Sequence, residues 1–507
     1  MRQIWILDFG SQYTQLITRK SRDLGFSSQI FTLDEILSLF REGKKPACLV
    51  LSGGPQSVFE DKTDYSILFS DPKLPILGVC YGMQLLGNFF NGVVEKGVIG
   101  EYGHAIIEYQ NKKLNVWMSH SDHVKVVPAD FHVVAKSHNQ LVAAIQHKTR
   151  PILGLQFHPE VDHTEGGRDI LESFYKNIAG LKTDWSAKSM LKEGEEFVAN
   201  ARGKKILCAF SGGVDSLVAA TLTHKILGSD MFCFFVDNGL LRPQDLHHIK
   251  LLKEKMPLNI EIIDAKEIFL GNLAGLKDPE EKRKCIGKTF IEVFEQKVHE
   301  FEKNHGIKFE YLLQGTLYPD VIESSSPHKV GGKSVTIKSH HNVGGLPERM
   351  NLKLLEPLRM LFKDEVRALG LELGLHPDWV YRHPFPGPGI GVRVLGELFP
   401  ESIRKVQESD QILFEELKTH HLYSAIWQAF TVLLPVKTVG VKGDGRAYEE
   451  VICVRMVNSS DGMTAEWSEV PASFLRLVSN RITNEVKGIT RVVYDITSKP
   501  PGTIEWE

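Results

Sequence analysis

The sequence predicts an α/β protein in which two successive doubly wound α/β domains are followed by a small α+β domain. One observation is length: 507 residues make room for about three domains at roughly 100–200 residues each. A second is composition, since 42% hydrophobic, 24% charged and 9% aromatic residues match a globular chain with several cores and exclude global disorder. The third is order along the chain. Short apolar runs alternate twice over with helical patterns, and the pattern changes after a Pro/Gly cluster.

The first series runs to about residue 180. Ile4-Trp5-Ile6-Leu7, Ala47 to Leu51, Leu74 to Val79 and Ile152 to Phe157 read as strands, with helical patterns between them. Such alternation predicts a parallel sheet covered on both faces. Ile170 to Ile178 reads as a closing helix, and Gly180 to Lys188 as a linker. A second series starts with a strand over Lys204 to Phe210, a helix over Asp215 to Leu227 and a strand over Met231 to Val236, a βαβ unit with a right-handed crossover. Ile260 to Ile263 and Tyr311 to Leu313 add strands, and the polar stretch from Ser324 to Gly345 fits a surface loop. His383-Pro384-Phe385-Pro386-Gly387-Pro388-Gly389 cannot be helix interior and marks the next boundary. Beyond it, helical patterns are expected to about Leu434, then a strand over Val451 to Val457, a helix over Ala472 to Val486 and a strand over Arg491 to Ile496. No repeat recurs at a fixed period. The domains expected are therefore 1–181, 182–382 and 383–507.

Several function classes are excluded at this level. With 60 Lys+Arg against 63 Asp+Glu, the net charge of -3 provides no overall field for nucleic acid or anionic lipid. The six cysteines form no CxxC pair, which argues against a disulfide framework or a structural zinc site. The apolar stretch after Met1-Arg2 ends at Asp8, and no run approaches the roughly 20 apolar residues of a membrane span. A cytoplasmic protein is expected.

Two constellations carry chemistry. In the first, Gly78-Val79-Cys80-Tyr81-Gly82 lies between an apolar run and the helical stretch Met83 to Phe90. This is a nucleophile-elbow pattern with cysteine in place of serine, the glycines permitting a strained strand-to-helix turn. A thiolate there gains from the positive end of the helix dipole. Phe157-His158-Pro159-Glu160 supplies a base: residues i and i+2 of extended chain project to one side, so Glu160 can orient His158 while His158 receives the thiol proton. Ser52-Gly53-Gly54-Pro55 offers free backbone N–H groups, and the amides of Gly54 and Tyr81 together suit an oxyanion hole. These motifs resemble the class I (triad) glutamine amidotransferases over residues 1 to about 180. The resemblance implies a flavodoxin-like glutaminase whose Cys80 attacks the glutamine side-chain amide, releases ammonia and leaves a thioester for water to hydrolyse.

The second constellation is Ser211-Gly212-Gly213-Val214-Asp215-Ser216, between a strand and the following helix. Glycines let the backbone approach an anion, and helix N-terminal amides and two hydroxyls can donate to it. It is not a Walker loop. Gly287-Lys288-Thr289 and Gly332-Lys333-Ser334 carry the Walker ending, but Lys282 and Pro327 stand where its first glycine belongs. The hexapeptide resembles the pyrophosphatase loop of the N-type ATP pyrophosphatases, with an adenine-nucleotide α-hydrolase-like fold. Leu217 departs from the Ser or Thr that often follows. The resemblance implies that residues 211–217 bind ATP, cleaved between its α and β phosphates, and that Asp215 helps place Mg²⁺. Phe235-Val236-Asp237-Asn238-Gly239 would lie near the nucleotide.

Leu313-Gln314-Gly315-Thr316-Leu317-Tyr318-Pro319-Asp320, the Pro/Gly cluster, Ile337-Lys338-Ser339-His340-His341-Asn342, Pro435 to Gly440 and the C-terminal Thr497 to Glu507 complete the pattern. Together they resemble the glutamine-hydrolysing GMP synthase family along essentially the whole chain. That resemblance implies amination of XMP, contacts to XMP from Arg283, Lys499, Ile504 and Glu505, and a lid containing Lys338, His340 and His341. It also implies a homodimer formed by the third domain, with small-molecule partners XMP, ATP and glutamine. An amidotransferase making NAD or asparagine is the nearest competitor, and the C-terminal segments disfavour it. A silent scaffold derived from the family would lack the nucleophile or the phosphate loop, and both are present.

Overall fold

The computed structural model describes residues 2–97, 100–110, 112–325, 329–330, 333–334, 350–442, 445–459 and 464–507. They fall into two compact units, Met1–Ser189 and Met190–Glu507.

In the first unit the strands Ser28–Phe31, Ile4–Leu7, Cys48–Leu51, Ile76–Val79 and Ile152–Leu155 lie side by side in that order, all parallel. Ile4–Leu7, Cys48–Leu51, Ile76–Val79 and Ile152–Leu155 are buried at every residue, as strands covered on both faces must be. The period of two divides them between two cores. Ile4, Ile6, Val50, Leu77, Val79, Leu153 and Leu155 pack on one face, and Trp5, Leu7, Leu49, Leu51, Ile76 and Ile152 on the other. An antiparallel wing extends the sheet to nine strands through Val142–His147, Phe131–Ser137, Glu101–Tyr109 and Lys112–His120. The closing helix Gly167–Ser173 widens into a π-helical turn over Phe174–Ile178.

The second unit begins with five parallel strands in the order Asn259–Asp264, Met231–Asp237, Ile206–Ala209, Tyr311–Leu313, Lys353–Leu355. The order reverses direction between Ile206–Ala209 and Tyr311–Leu313, so the loops after these two strands open the crevice in which such sheets bind ligands. A further four-stranded sheet contains Gln428–Lys442, Gly445–Asn458, Glu466–Trp467 and Ile489–Tyr494. Here one expectation fails: the helical pattern ends with Pro400–Thr419, and residues 428–434 are strand. Ala429, Phe430, Thr431 and Val432 are all buried, so both faces of the strand are covered. A short apolar run without alternation does not distinguish strand from helix.

Both sheets of this unit share one core. Leu207, Phe234 and Leu312 belong to the same hydrophobic cluster as Val406, Leu413, Ile452, Val478 and Ile482. Most of the loop expected over 324–345 lies outside the described residues, and so do Lys338, His340 and His341.

Candidate active sites

Cys80 stands one residue beyond Ile76–Val79 and His158 three beyond Ile152–Leu155, and Val79 pairs directly with Leu155. Two neighbouring parallel strands therefore deliver both side chains to one sheet edge. Cys80 sits at the mouth of the helix Tyr81–Phe89 with φ 53° and ψ −106°, a strained turn for a non-glycine residue. Its amide donates to Leu155 O at 2.7 Å. The flanking glycines are sterically required: a Cβ on Gly78 would meet Gly82 O at 2.6 Å, and one on Gly82 would meet Leu51 O at 2.3 Å.

His158 is buried, and its Nδ1 bonds Glu160 Oε1 at 2.7 Å. Burial works against the imidazolium. The Glu160 charge and hydrogen bonds with Cys80 and Glu160 outweigh it and lift the histidine to about 10. Tyr13 packs edge-on against the ring at 4.8 Å. The Cys80 sulfur also meets Ser119 O at 3.6 Å and Gln156 Nε2 at 3.7 Å. Neither Ser119 nor Gln156 is marked by a motif; Ser119 comes from the antiparallel wing. A Cβ on Gly53 would lie 3.2 Å from His158 Cε1, so the Ser52–Pro55 turn borders the imidazole. Among the described residues, the amides of Gly54 and Tyr81 donate to no other group. The Tyr81 hydroxyl donates to Asp61 at 2.6 Å, as does that of Tyr65; burial of Asp61 opposes its charge, but these bonds prevail and hold it down at about 2. The arrangement can pass a proton from thiol to imidazole and present donors to an oxyanion.

In the second unit, Ser211–Ser216 follows Ile206–Ala209 at the switch point of the sheet. Ser211 Oγ and Ser216 Oγ lie 3.0 Å apart, and Ser211 Oγ accepts from the Gly213 amide at 3.3 Å. Gly212 has φ +73°, and a Cβ there would strike Ile249 Cδ1 at 2.2 Å. Leu217 is fully buried, and its amide donates to Gly213 O at 3.0 Å. The Asp215 carboxylate receives Lys363 Nζ at 2.8 and 2.6 Å. Sequence reasoning missed Lys363. Its signal was a cation at the first position of the helix Lys363–Glu372, where the dipole disfavours one. Asp237 holds the Gly239 amide at 3.1 Å and pairs with Lys266 at 3.1 Å.

The C-terminal segment is docked. Arg455 donates to Ile504 O and Thr503 O at 2.8 Å, and Trp506 Nε1 to Asp495 at 2.9 Å. Glu505 accepts from Arg393 at 3.0 and 3.2 Å and from Gln428 at 2.7 Å, Ile504 packs against Phe430, Val432 and Cys453, and Arg283 donates to the main-chain oxygen of Glu507. Lys499 stands apart from these, on the wall of an open cavity of about 800 Å³ lined also by Trp427, Asn458, Glu466 and Ser498.

An elbow thiol with a His–Glu pair in one unit, and a glycine turn at a sheet switch point in the other, match the class of glutamine-dependent amidotransferases coupled to ATP cleavage. Three family descriptions match the chain: glutamine amidotransferase class-I over residues 5–178, NAD synthase over 188–293 and GMP synthase C terminal domain over 415–506. The GMP synthase (glutamine-hydrolyzing) of Chlorobaculum tepidum is 49% identical over 528 residues, covering 100% of this chain and 99% of that protein. That of Helicobacter pylori strain J99 is 51% identical, covering 99% and 100%, and that of Thermosipho africanus 47%, covering all of both. The chain belongs to the family of glutamine-hydrolysing GMP synthases.

Proposed function

We propose that the protein makes GMP from XMP, ATP and glutamine, with Cys80, His158 and Glu160 releasing the ammonia. The observation that carries this reading is the convergence of an elbow cysteine and a buried His–Glu pair at adjacent strand ends, in a chain of this family. Cys80 Sγ attacks the glutamine amide carbon, and the Gly54 and Tyr81 amides receive the developing oxyanion. The C–N bond then breaks as His158, an imidazolium carrying the proton taken from the Cys80 thiol, gives that proton to departing ammonia. His158 next takes a proton from the water that hydrolyses the thioester, and glutamate leaves. Glu160 keeps Nδ1 oriented throughout.

At the second site the C2 oxygen of XMP attacks the α-phosphorus of ATP, the bond to the β-phosphate breaks, and ammonia then displaces AMP from C2. Ser211 to Leu217 hold the nucleotide phosphates. The Asp215 carboxylate, an oxygen donor of the loop, fits Mg²⁺ carried in with ATP. Such an ion, held by Asp215 and phosphate oxygens, would neutralise the pyrophosphate leaving group. Lys363 balances the Asp215 charge in the free enzyme and turns to phosphate when nucleotide arrives. XMP is assigned to Arg283, Lys499, Ile504 and Glu505, and the lid to Lys338, His340 and His341.

Tasks divide along the chain at about residues 181 and 382: ammonia release, adenylation, then dimerisation with substrate contact. This is a division of labour rather than of cores, because the last two portions share one. A homodimer is supported by the hairpin Gln428–Lys442/Gly445–Asn458. Val439 faces the same side as its cross-strand partner Tyr448 and as Val441, and they are 59%, 67% and 74% exposed. A cytoplasmic setting is supported by six free thiols. No helix among the described residues is long and apolar enough to cross a membrane.

The deciding experiment is Cys80→Ala, assayed for AMP and GMP with glutamine or ammonium as nitrogen source. Glutamine-driven synthesis is abolished and ammonium-driven synthesis kept; loss of both refutes the role of Cys80.

A further inference from the structure

Lys282, in the first turns of the helix Pro279–His305, is wholly buried. An isolated ammonium out of water is prohibitively costly, so its partners are the point of interest. Nζ donates to Gly391 O at 3.1 Å, to Val394 O at 2.9 Å and to the carboxylate of Glu507. The other carboxylate oxygen of Glu507 accepts from the Gly396 amide at 3.3 Å, and its main-chain oxygen accepts from Arg283. Two residues back, Glu505 is gripped by Arg393, which stands between the two carbonyls that Lys282 holds. One turn, residues 391–396, thus anchors both carboxylates of the tail, and Lys282 ties that turn to the tail and to the helix bearing Arg283.

We propose that Lys282, through Glu507, is a positioning residue for the XMP site: it pins the tail so that Arg283 and Glu505 stand at fixed places relative to the substrate. The proposal rests on the assignment of XMP to this tail. It differs from a purely structural role, because a latch acts on substrate affinity while leaving the phosphate loop, and hence ATP use, intact.

The test uses the full chain, with ammonium as nitrogen source so that Cys80 is not involved. Glu507→Ala releases the latch from the tail and leaves the buried Lys282 to the carbonyls of Gly391 and Val394; Lys282→Met releases it from the helix and leaves Glu507 to the Gly396 amide. Either variant is expected to raise KM for XMP about tenfold, with kcat within about threefold and KM for ATP unchanged. Glu507→Gln, which still accepts from Lys282, recovers most of the affinity. Should Lys282→Met fail to fold, Glu507→Ala carries the test alone. Lys499→Ala, on the cavity wall and outside the latch, separates the two ideas. If it raises KM for XMP while folded Glu507→Ala does not, the latch is overturned; if neither raises it, the assignment of XMP to the tail falls and the latch with it. A fall in kcat at unchanged KM for XMP in Glu507→Ala also overturns the proposal.

Discussion

Glu160→Gln removes the charge behind His158 while keeping a hydrogen-bond acceptor of the same shape at 2.7 Å. Raising a histidine from 6.5 to about 10 represents roughly 5 kcal/mol of preference for the imidazolium. The preference is won against burial and comes from Glu160 and Cys80 together. Half of it, about 2–3 kcal/mol, is a factor of about 10² in the proton affinity of His158. The imidazolium still predominates at pH 7, so glutaminase kcat/KM should fall only a few-fold there, while the alkaline limb of its pH profile shifts toward acid and the loss relative to wild type grows toward about 100-fold above about pH 9. Ammonium-driven GMP formation should stay within about twofold, since Glu160 plays no part in adenylation. The linkage has a definite sign. The raised value of His158 contributes stability that is complete below pH 6.5 and is lost as the pH rises through about 10, so the variant's deficit in thermal stability is largest at neutral pH or below and vanishes at high pH. An alkaline limb that stays where it is in the wild type, or equal loss with both nitrogen donors, would refute the reasoning.

Lys363→Met should leave glutamine hydrolysis unchanged and depress AMP formation from XMP and ATP about 10²-fold with either nitrogen donor, measured by pyrophosphate release; full retention removes Lys363 from the phosphate site. Gly82→Ala drives a Cβ into Leu51 O, and should destabilise the first unit by about 1–3 kcal/mol in calorimetry and silence glutamine-driven synthesis alone. Val441→Glu combined with Tyr448→Ser should shift the sedimentation coefficient from dimer to monomer; an unchanged dimer places the interface elsewhere.

The elbow was legible in the sequence because its steric demands fall on residues at fixed offsets. Gly78 and Gly82 have no space for a side chain, and the His-x-Glu pair needs only extended backbone to align. The turn at Ser211–Ser216 was legible for the same local reason, with Gly212 at positive φ and no room for a side chain. What stayed hidden is long-range. Ser119 reaches Cys80 only because an antiparallel wing folds back across the sheet, and Lys363 meets Asp215 across 148 residues of chain. Lys and Arg side chains usually stay in water, yet Lys282 and Arg393 are both fully buried, and carboxylates from the far end of the chain meet them there. The strand at 428–434 was misassigned because burial on both faces erased its alternation.

The core that runs from Leu207 to Ile489 also bears on how such a protein can be divided. Among the described residues, the two hydrophobic clusters that cover the first unit's sheet take nothing from beyond Leu181, so that sheet is built on cores of its own. A cut near residue 382 meets no such boundary: it would strip Val406, Leu413 and Val478 from Phe234, Phe294 and Leu312, and leave two sticky halves. The five-stranded and four-stranded sheets should therefore unfold together, as one piece.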